Sequence, residues 1–529
     1  MPSDQNPGTE PHKASLEEFE RSSDRRPPFI LTRTEVKLLG IAGVGFFLDA
    51  YDLFIINPVA TMLQYRLYGG HSLPPNLEGL LKASANIGSV VGQFAFGYLA
   101  DSLGRKAVYG KELILIILAT ILTITTPTGS ISPNGSLVYL SIFRILLGVG
   151  VGGDYPMSAS VASDRANIRK RGTLLAYIFS SQGWGSFVGS LVTIIVLLCY
   201  KHVMDVEGKT SKVDGAWRII VGLSLIPAFA TLYQRLTLPE SSRYLATQKL
   251  QTDENTVEEL KNYARATEGD HNSNNIGNQP TDEKPGVGLQ STSDASSHEG
   301  KVEHSDKGHE IAGVAAKKAH FREFLHYFSE WRHAKLLIGT CACWFLLDVA
   351  FYGINLNQNV VLQQIGFDGS SGSSWQRLFK IATGNIIITA LGFVPGYYAA
   401  ILTIEILGRK WLQIQGFLMA ALFLGILAGK FHTLSTAAFV CYPAEVFPTR
   451  FRAFAHGISA AAGKAGAIIS ALVFNQLSKD IGTPAVLWIF FACCVAGAFF
   501  TLLLPEVKGR DPDLILIEEM KEGRKSMST

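Results

Sequence analysis

Runs of about 20 apolar residues recur along this chain, and their recurrence decides the fold class before any motif is considered. Each run matches the length a helix needs to cross the roughly 30 Å hydrocarbon core of a bilayer. In that medium every backbone N–H and C=O must be satisfied within the segment, which selects helices. The runs fall at roughly 36–66, 76–100, 107–127, 136–163, 172–200 and 216–237, then at 334–363, 374–404, 411–429, 453–477 and 484–505, with a short one near 434–447. This predicts an all-α membrane protein of twelve spans, the tenth shortened. The composition agrees: only 17% of the 529 residues are charged, where a soluble domain carries about a quarter.

Between the two groups of runs, residues 238–332 turn rich in Ser, Gly and charge, as in PTDEKPGVGLQSTSDASSHEGKVEHSDKGHE. Such a segment buries too little apolar surface to fold, so it reads as a largely disordered linker whose Ser and Thr residues are open to kinases. The division expected is therefore a tail at 1–35, a six-helix bundle at 36–237, the linker, a second helix bundle at 333–505, and a tail at 506–529. The first 30 residues are polar and mixed in charge, unlike a cleavable leader. Basic residues gather in connections on one side, at Arg105-Lys106, Arg165 to Arg171, Arg409-Lys410 and Arg450/Arg452. The positive-inside rule puts that side, with both termini, in the cytosol. The six cysteines lack paired spacing and read as apolar packers.

The halves repeat one signature. Gly97-Tyr-Leu-Ala-Asp-Ser-Leu-Gly-Arg-Lys106 follows the second span and Ile401-Leu-Thr-Ile-Glu-Ile-Leu-Gly-Arg-Lys410 the second span after the linker. Pro239-Glu closes the first half and Pro505-Glu the second.

GVGVGGDYPM, from Gly148, carries glycines at the spacing of a dinucleotide loop. That loop needs a preceding strand and an acidic residue about 20 positions on, and neither context is present. The glycines instead predict close helix packing. Asp154, in contrast, is an ionisable group within a span, which marks a substrate or ion path, or a structural pair with a base such as Arg144. Asp49 and Asp52 lie three apart on one helix face. Gln182 brings an amide to the fifth span, and CACWFLLDVAFYG sets Trp344, Asp348 and Tyr352 four apart in one stripe. Lys464 is an isolated ammonium among small residues.

Together these specify a ligand. Lys464 supplies positive charge, and Tyr155, Tyr352, Gln182 and Trp344 supply donors; Asp348 accepts only from a ligand that itself carries a proton. Dihydrogen phosphate meets both demands, whereas sulfate lacks the proton and a neutral sugar does not need the lysine. Moving an anion inward against the membrane potential costs about 2.3 kcal/mol per charge per 100 mV, so coupling to protons is expected.

The segments GGDYPMSASVASD, LDAYDLFIIN and PAEVFPTRFRAFAHGISAAAGK and the WxxxDxxxY stripe resemble the phosphate:proton symporter family of the major facilitator superfamily, in particular fungal high-affinity inorganic phosphate transporters. The resemblance spans nearly all of the chain outside the linker and tails. It implies the major facilitator fold, two six-helix bundles rocking about a central site, in the plasma membrane. It places Tyr155, Gln182, Trp344, Asp348, Tyr352 and Lys464 at phosphate-site positions, Asp49, Asp52 and Asp154 at those of proton transfer, and Arg144 where a base pairs with first-span carboxylates. In one respect the chain departs from the family: between Gly429 and Glu445 it has no Asn, where family members carry a phosphate-binding one in the tenth span. A glycerophosphodiester or other anion symporter of the same scaffold is kept as one alternative, and the shortened tenth span motivates another, a phosphate sensor or transport-impaired variant. No nucleophile and base pair, nucleotide loop or metal-ligand cluster occurs, so neither an enzyme activity nor a cofactor, metal or nucleic-acid partner is expected.

Overall fold

The computed structural model describes residues 27–241 apart from 28 and 167–169, residues 321–430 apart from 359–361, 363–365, 368 and 370, and residues 443–519 apart from 514, 517 and 518. Most of the linker, the outer parts of both tails and residues 431–442, with the start of the shortened tenth span, lie outside these. The described residues form helices and no strands. The main ones, in chain order, are α1 (Arg33–Tyr68), α2 (Pro75–Leu103), α3 (Arg105–Ile124), α4 (Pro133–Arg165), α5 (Arg171–Cys199), α6 (Thr210–Leu236), α7 (Trp331–Asn355), α8 (Ser374–Leu407), α9 (Arg409–Gly429), α10 (Pro443–Val446), α11 (Arg452–Ile481) and α12 (Thr483–Thr501). Ten are long and apolar enough to span a membrane; the exceptions are the four-residue α10 and α2, which carries Lys82, Asn86, Gln93 and Asp101.

Local chemistry sets the boundaries. Thr32 and Glu35 close a reciprocal cap at the start of α1, with Glu35 N–H donating to Thr32 Oγ1 at 3.1 Å. The helix is interrupted at Ile55, three residues before Pro58, whose ring opposes the carbonyl of Phe54. In α4, Pro156 removes the bond to the carbonyl of Gly152 within the helix, directly after Asp154 and Tyr155.

The glycines of GVGVGG pack helices, as their small size predicts. A Cβ on Gly148 would stand 2.0 Å from the Ala85 carbonyl oxygen of α2 and one on Gly152 2.2 Å from that of Ser89. Gly88 and Gly92 of α2 answer with equally close approaches to Ile145 and Val149. Backbone thus meets backbone along the α2–α4 crossing.

The chain halves, α1–α6 and α7–α12, touch at both ends. At the end that bears Arg105, Arg409 and Arg452, here the basic end, Asp101 Oδ2 accepts from Phe454 N–H at 2.8 Å and Glu405 Oε1 from Thr173 N–H at 3.2 Å. At the opposite end Asn57 donates to the Asn355 carbonyl at 2.8 Å and Lys82 to Asn357 Oδ1 at 3.2 Å. The residues between are enclosed. The echoed Pro-Glu pairs sit equivalently: Glu240 accepts from Lys106 N–H, and Glu506 from Arg409 N–H and Lys410 N–H, each at 3.0 Å. Both cap the helix that follows a GRK turn.

Candidate functional site

Midway along α1, Asp49 is buried and its Oδ2 accepts from Gln182 Nε2 of α5 at 3.0 Å. The same amide nitrogen donates to Tyr155 Oη of α4, and Gln182 Oε1 accepts from Tyr397 of α8 at 3.1 Å. Three helices of the first half and one of the second therefore meet on a single amide. Phe46 packs on Tyr155, ring centroids 4.8 Å apart, and holds that phenol over the centre.

The α7 stripe faces this group. Trp344, Asp348 and Tyr352 are all buried, and the Trp344 ring lies 6.2 Å from that of Tyr155. Lys464 of α11 donates to Tyr352 Oη, and its ammonium stands 4.3 Å from the Tyr352 ring centroid and 5.2 Å from that of Tyr155. Gly463 is what brings α11 so close: a Cβ there would lie 2.5 Å from Trp344 Cδ1 and 2.9 Å from Asp348 Oδ2. Asp348 Oδ2 is buried and makes no hydrogen bond among the described residues. Asp49, Tyr155, Gln182, Trp344, Asp348, Tyr352 and Lys464 are thus gathered between the halves. On the far side of Phe54, whose ring stacks on Tyr352 at 6.2 Å, a narrow crevice lies between α1, α5 and α8.

Asp154, Asp52 and Arg144 are placed differently. Asp154 Oδ1 accepts from Arg235 Nη1 at 2.6 Å and from Ser158 Oγ at 2.7 Å. Its base is therefore Arg235 of α6, not Arg144. Glu112 shares that guanidinium at 3.4 Å, and Arg235 also lies 5.0 Å over the Tyr109 ring. Gly45 makes room for the pair, since a Cβ there would fall 1.4 Å from Asp154 Oδ2. Arg144, fully buried, donates to the backbone carbonyl of Asp52 at 3.1 Å. Glu112, Arg235 and Tyr397 were not singled out from the sequence. The first two carried a signal, as charges inside the apolar runs KELILIILATILTI and LIPAFATLYQRL; Tyr397 carried none.

The arrangement offers a buried cation, a carboxylate and several phenols to something small that enters between two helix bundles. A family model described as sugar (and other) transporter matches residues 38–283 and 430–520. The chain belongs to this family of the major facilitator superfamily. Among relatives of this major facilitator chain, a Schizosaccharomyces pombe protein named for inorganic phosphate transport is 43% identical, the match covering 96% of this chain and 93% of the relative. The inorganic phosphate transporter PHO84 of Saccharomyces cerevisiae is 36% identical over 92% of this chain and 84% of its own length. The fold is that of the proton:xylose symporter XylE, with a TM-score of 0.62 at 20% identity over 91% of this chain and 98% of XylE. Both relatives and this neighbour are transporters by name, not enzymes.

Proposed function

We propose that the protein imports inorganic phosphate together with protons across the plasma membrane by alternating access. The observation that carries this reading is Lys464, an ammonium buried between the halves beside Asp348 and bonded to Tyr352. A buried cation recruits an anion, and a carboxylate at its side tolerates only an anion that carries a proton of its own. Phosphate does, and the relatives are named for it. Trp344, Tyr155 and Gln182 complete the set of groups around the ion. Asp49, Asp52 and Asp154 carry protons, Asp154 against Arg235 and Asp52 with Arg144 on its backbone carbonyl.

In this reading the basic end and both termini are cytosolic. Residues 36–237 and 333–505 rock as two units, and 238–332 is a cytosolic linker open to kinases. Phosphate arrives past Phe54 from the opposite end.

Purified protein in phospholipid vesicles is expected to take up phosphate faster when the outside is acidic, with an inward proton current. Lys464→Ala and Asp348→Asn each lower uptake at least tenfold. Uptake that ignores external pH removes the proton coupling, and full uptake by both variants removes the site. The stretch without Asn between Gly429 and Glu445 favours a second reading, a phosphate sensor; binding without uptake by the unaltered chain would select it.

A further inference from the structure

The face of α2 that meets α11 holds an amide that no group so far described explains. Three close approaches fix the register of these antiparallel helices. A Cβ on Gly457 would stand 2.4 Å from the Gln93 carbonyl oxygen, one on Gly97 2.9 Å from that of Ala453, and one on Gly79 3.4 Å from that of Ala471. From 93 to 79 and from 457 to 471 is fourteen residues on each helix, close to four turns, so the seam runs along one face of each. Halfway, seven residues from either crossing, Asn86 comes opposite Lys464.

Asn86 is fully buried, and neither its Oδ1 nor its Nδ2 has a hydrogen-bond partner among the described residues. Its neighbours on α2 are satisfied. Ser84 and Ser89 donate to helix carbonyls, Lys82 pairs with Glu78 and Asn357, and Asp101 accepts from two amides of α11. Burying an unpaired amide is costly, so a group is retained there to meet something. Gln182, the other amide near the centre, differs in being bonded to Asp49, Tyr155 and Tyr397 in this structure. Gln93 and His456 are likewise buried without hydrogen-bond partners among the described residues, but they lie at the Gly457 crossing, about two turns along the helix from Lys464, where the His456 ring packs 5.3 Å from that of Trp344.

We propose that Asn86 is a further ligand of the anion held by Lys464, its N–H₂ donating to one oxygen and its carbonyl accepting from a P–O–H. This rests on the phosphate reading and adds a second group that demands a proton on the ion. The carbonyl selects protonated tetrahedral anions, phosphate and arsenate, over sulfate, which offers it nothing.

The test is phosphate uptake by vesicles containing the full chain, with arsenate and sulfate as competitors. Asn86→Leu is expected to raise KM about tenfold or more, the range for a hydrogen bond to a charged group, and to narrow the preference for arsenate over sulfate as competitor. Unchanged KM and an unchanged competition profile would overturn the assignment, as would a loss confined to the maximal rate. If Asn86→Leu does not assemble, Asn86→Gln decides. It keeps the amide but displaces it, so a raised KM supports the ligand role and an unchanged one removes it. Absence of both uptake and binding of phosphate by the unaltered chain would sink the phosphate reading itself, a result separate from any behaviour of the variants.

Discussion

The two GRK turns spell nearly the same words, and the structure uses them for the same task with unequal force. In the first half Asp101 accepts from two backbone amides of α11, Ala453 at 3.3 Å and Phe454 at 2.8 Å. In the second, Glu405 accepts from one backbone amide of α5, Thr173. Each carboxylate therefore caps the start of a helix in the other half, where the helix dipole favours negative charge. Arg105 then reaches Asp164 at the end of α4 at 2.8 Å, and Arg409 reaches Glu445 of α10 at 2.9 Å. Asp164 also holds Arg452 of the opposite half. The first cluster is sealed from solvent, whereas the Glu405 side chain keeps 15% of its surface exposed and spends both oxygens on Arg409 within its own half. A repeated motif thus gives a strong fastening on one side of the basic end and a weaker one on the other.

Substitutions at the two clusters should separate accordingly. Asp164→Ala strips the shared carboxylate from buried Arg105 and Arg452, and breaking a buried ion pair by removing one partner costs about 3–5 kcal/mol. Thermal unfolding in detergent should register it as the largest loss of the set, and a melting point equal to the unaltered chain's would show the cluster to be inert. Asp101→Asn keeps the size but gives up charge-assisted bonds, at about 1.5–3 kcal/mol. Hydrogen exchange should accelerate at Ala453 and Phe454 and not at Thr173. Glu405→Gln should do the reverse, accelerating exchange at Thr173 by a smaller factor, because its carboxylate keeps partial contact with solvent and Arg409 retains Glu445. Equal effects of the last two would abolish the asymmetry.

The same contrast bears on what a sequence makes legible. The spans were readable because membrane helices must be apolar over a fixed length, and the helix limits lie within a few residues of the apolar runs nearly throughout. The equivalence of Asp101 with Glu405, and of Glu240 with Glu506, was readable as a repeat. The gathering of Trp344, Asp348, Tyr352 and Lys464 could be suspected because charges inside spans are costly and few. Partner choice was not readable. Asp154 sits ten residues from Arg144 on one helix, yet its base is Arg235, brought by the packing of α6 against α1 and admitted by the missing side chain of Gly45. Asn86 gave no signal either, since an amide among Ala, Ser and Gly has meaning only once α11 is laid against it.

The dual character of α2 also governs how the molecule is made. Its polar stripe disqualifies it as a self-sufficient membrane segment, while glycines bind its other face backbone to backbone to α4. A nascent α2 leaving the ribosome thus lacks the apolar surface to settle in lipid alone. Its insertion is therefore expected to depend on α4, about thirty residues later, and a chain ending before α4 should leave α2 outside the bilayer.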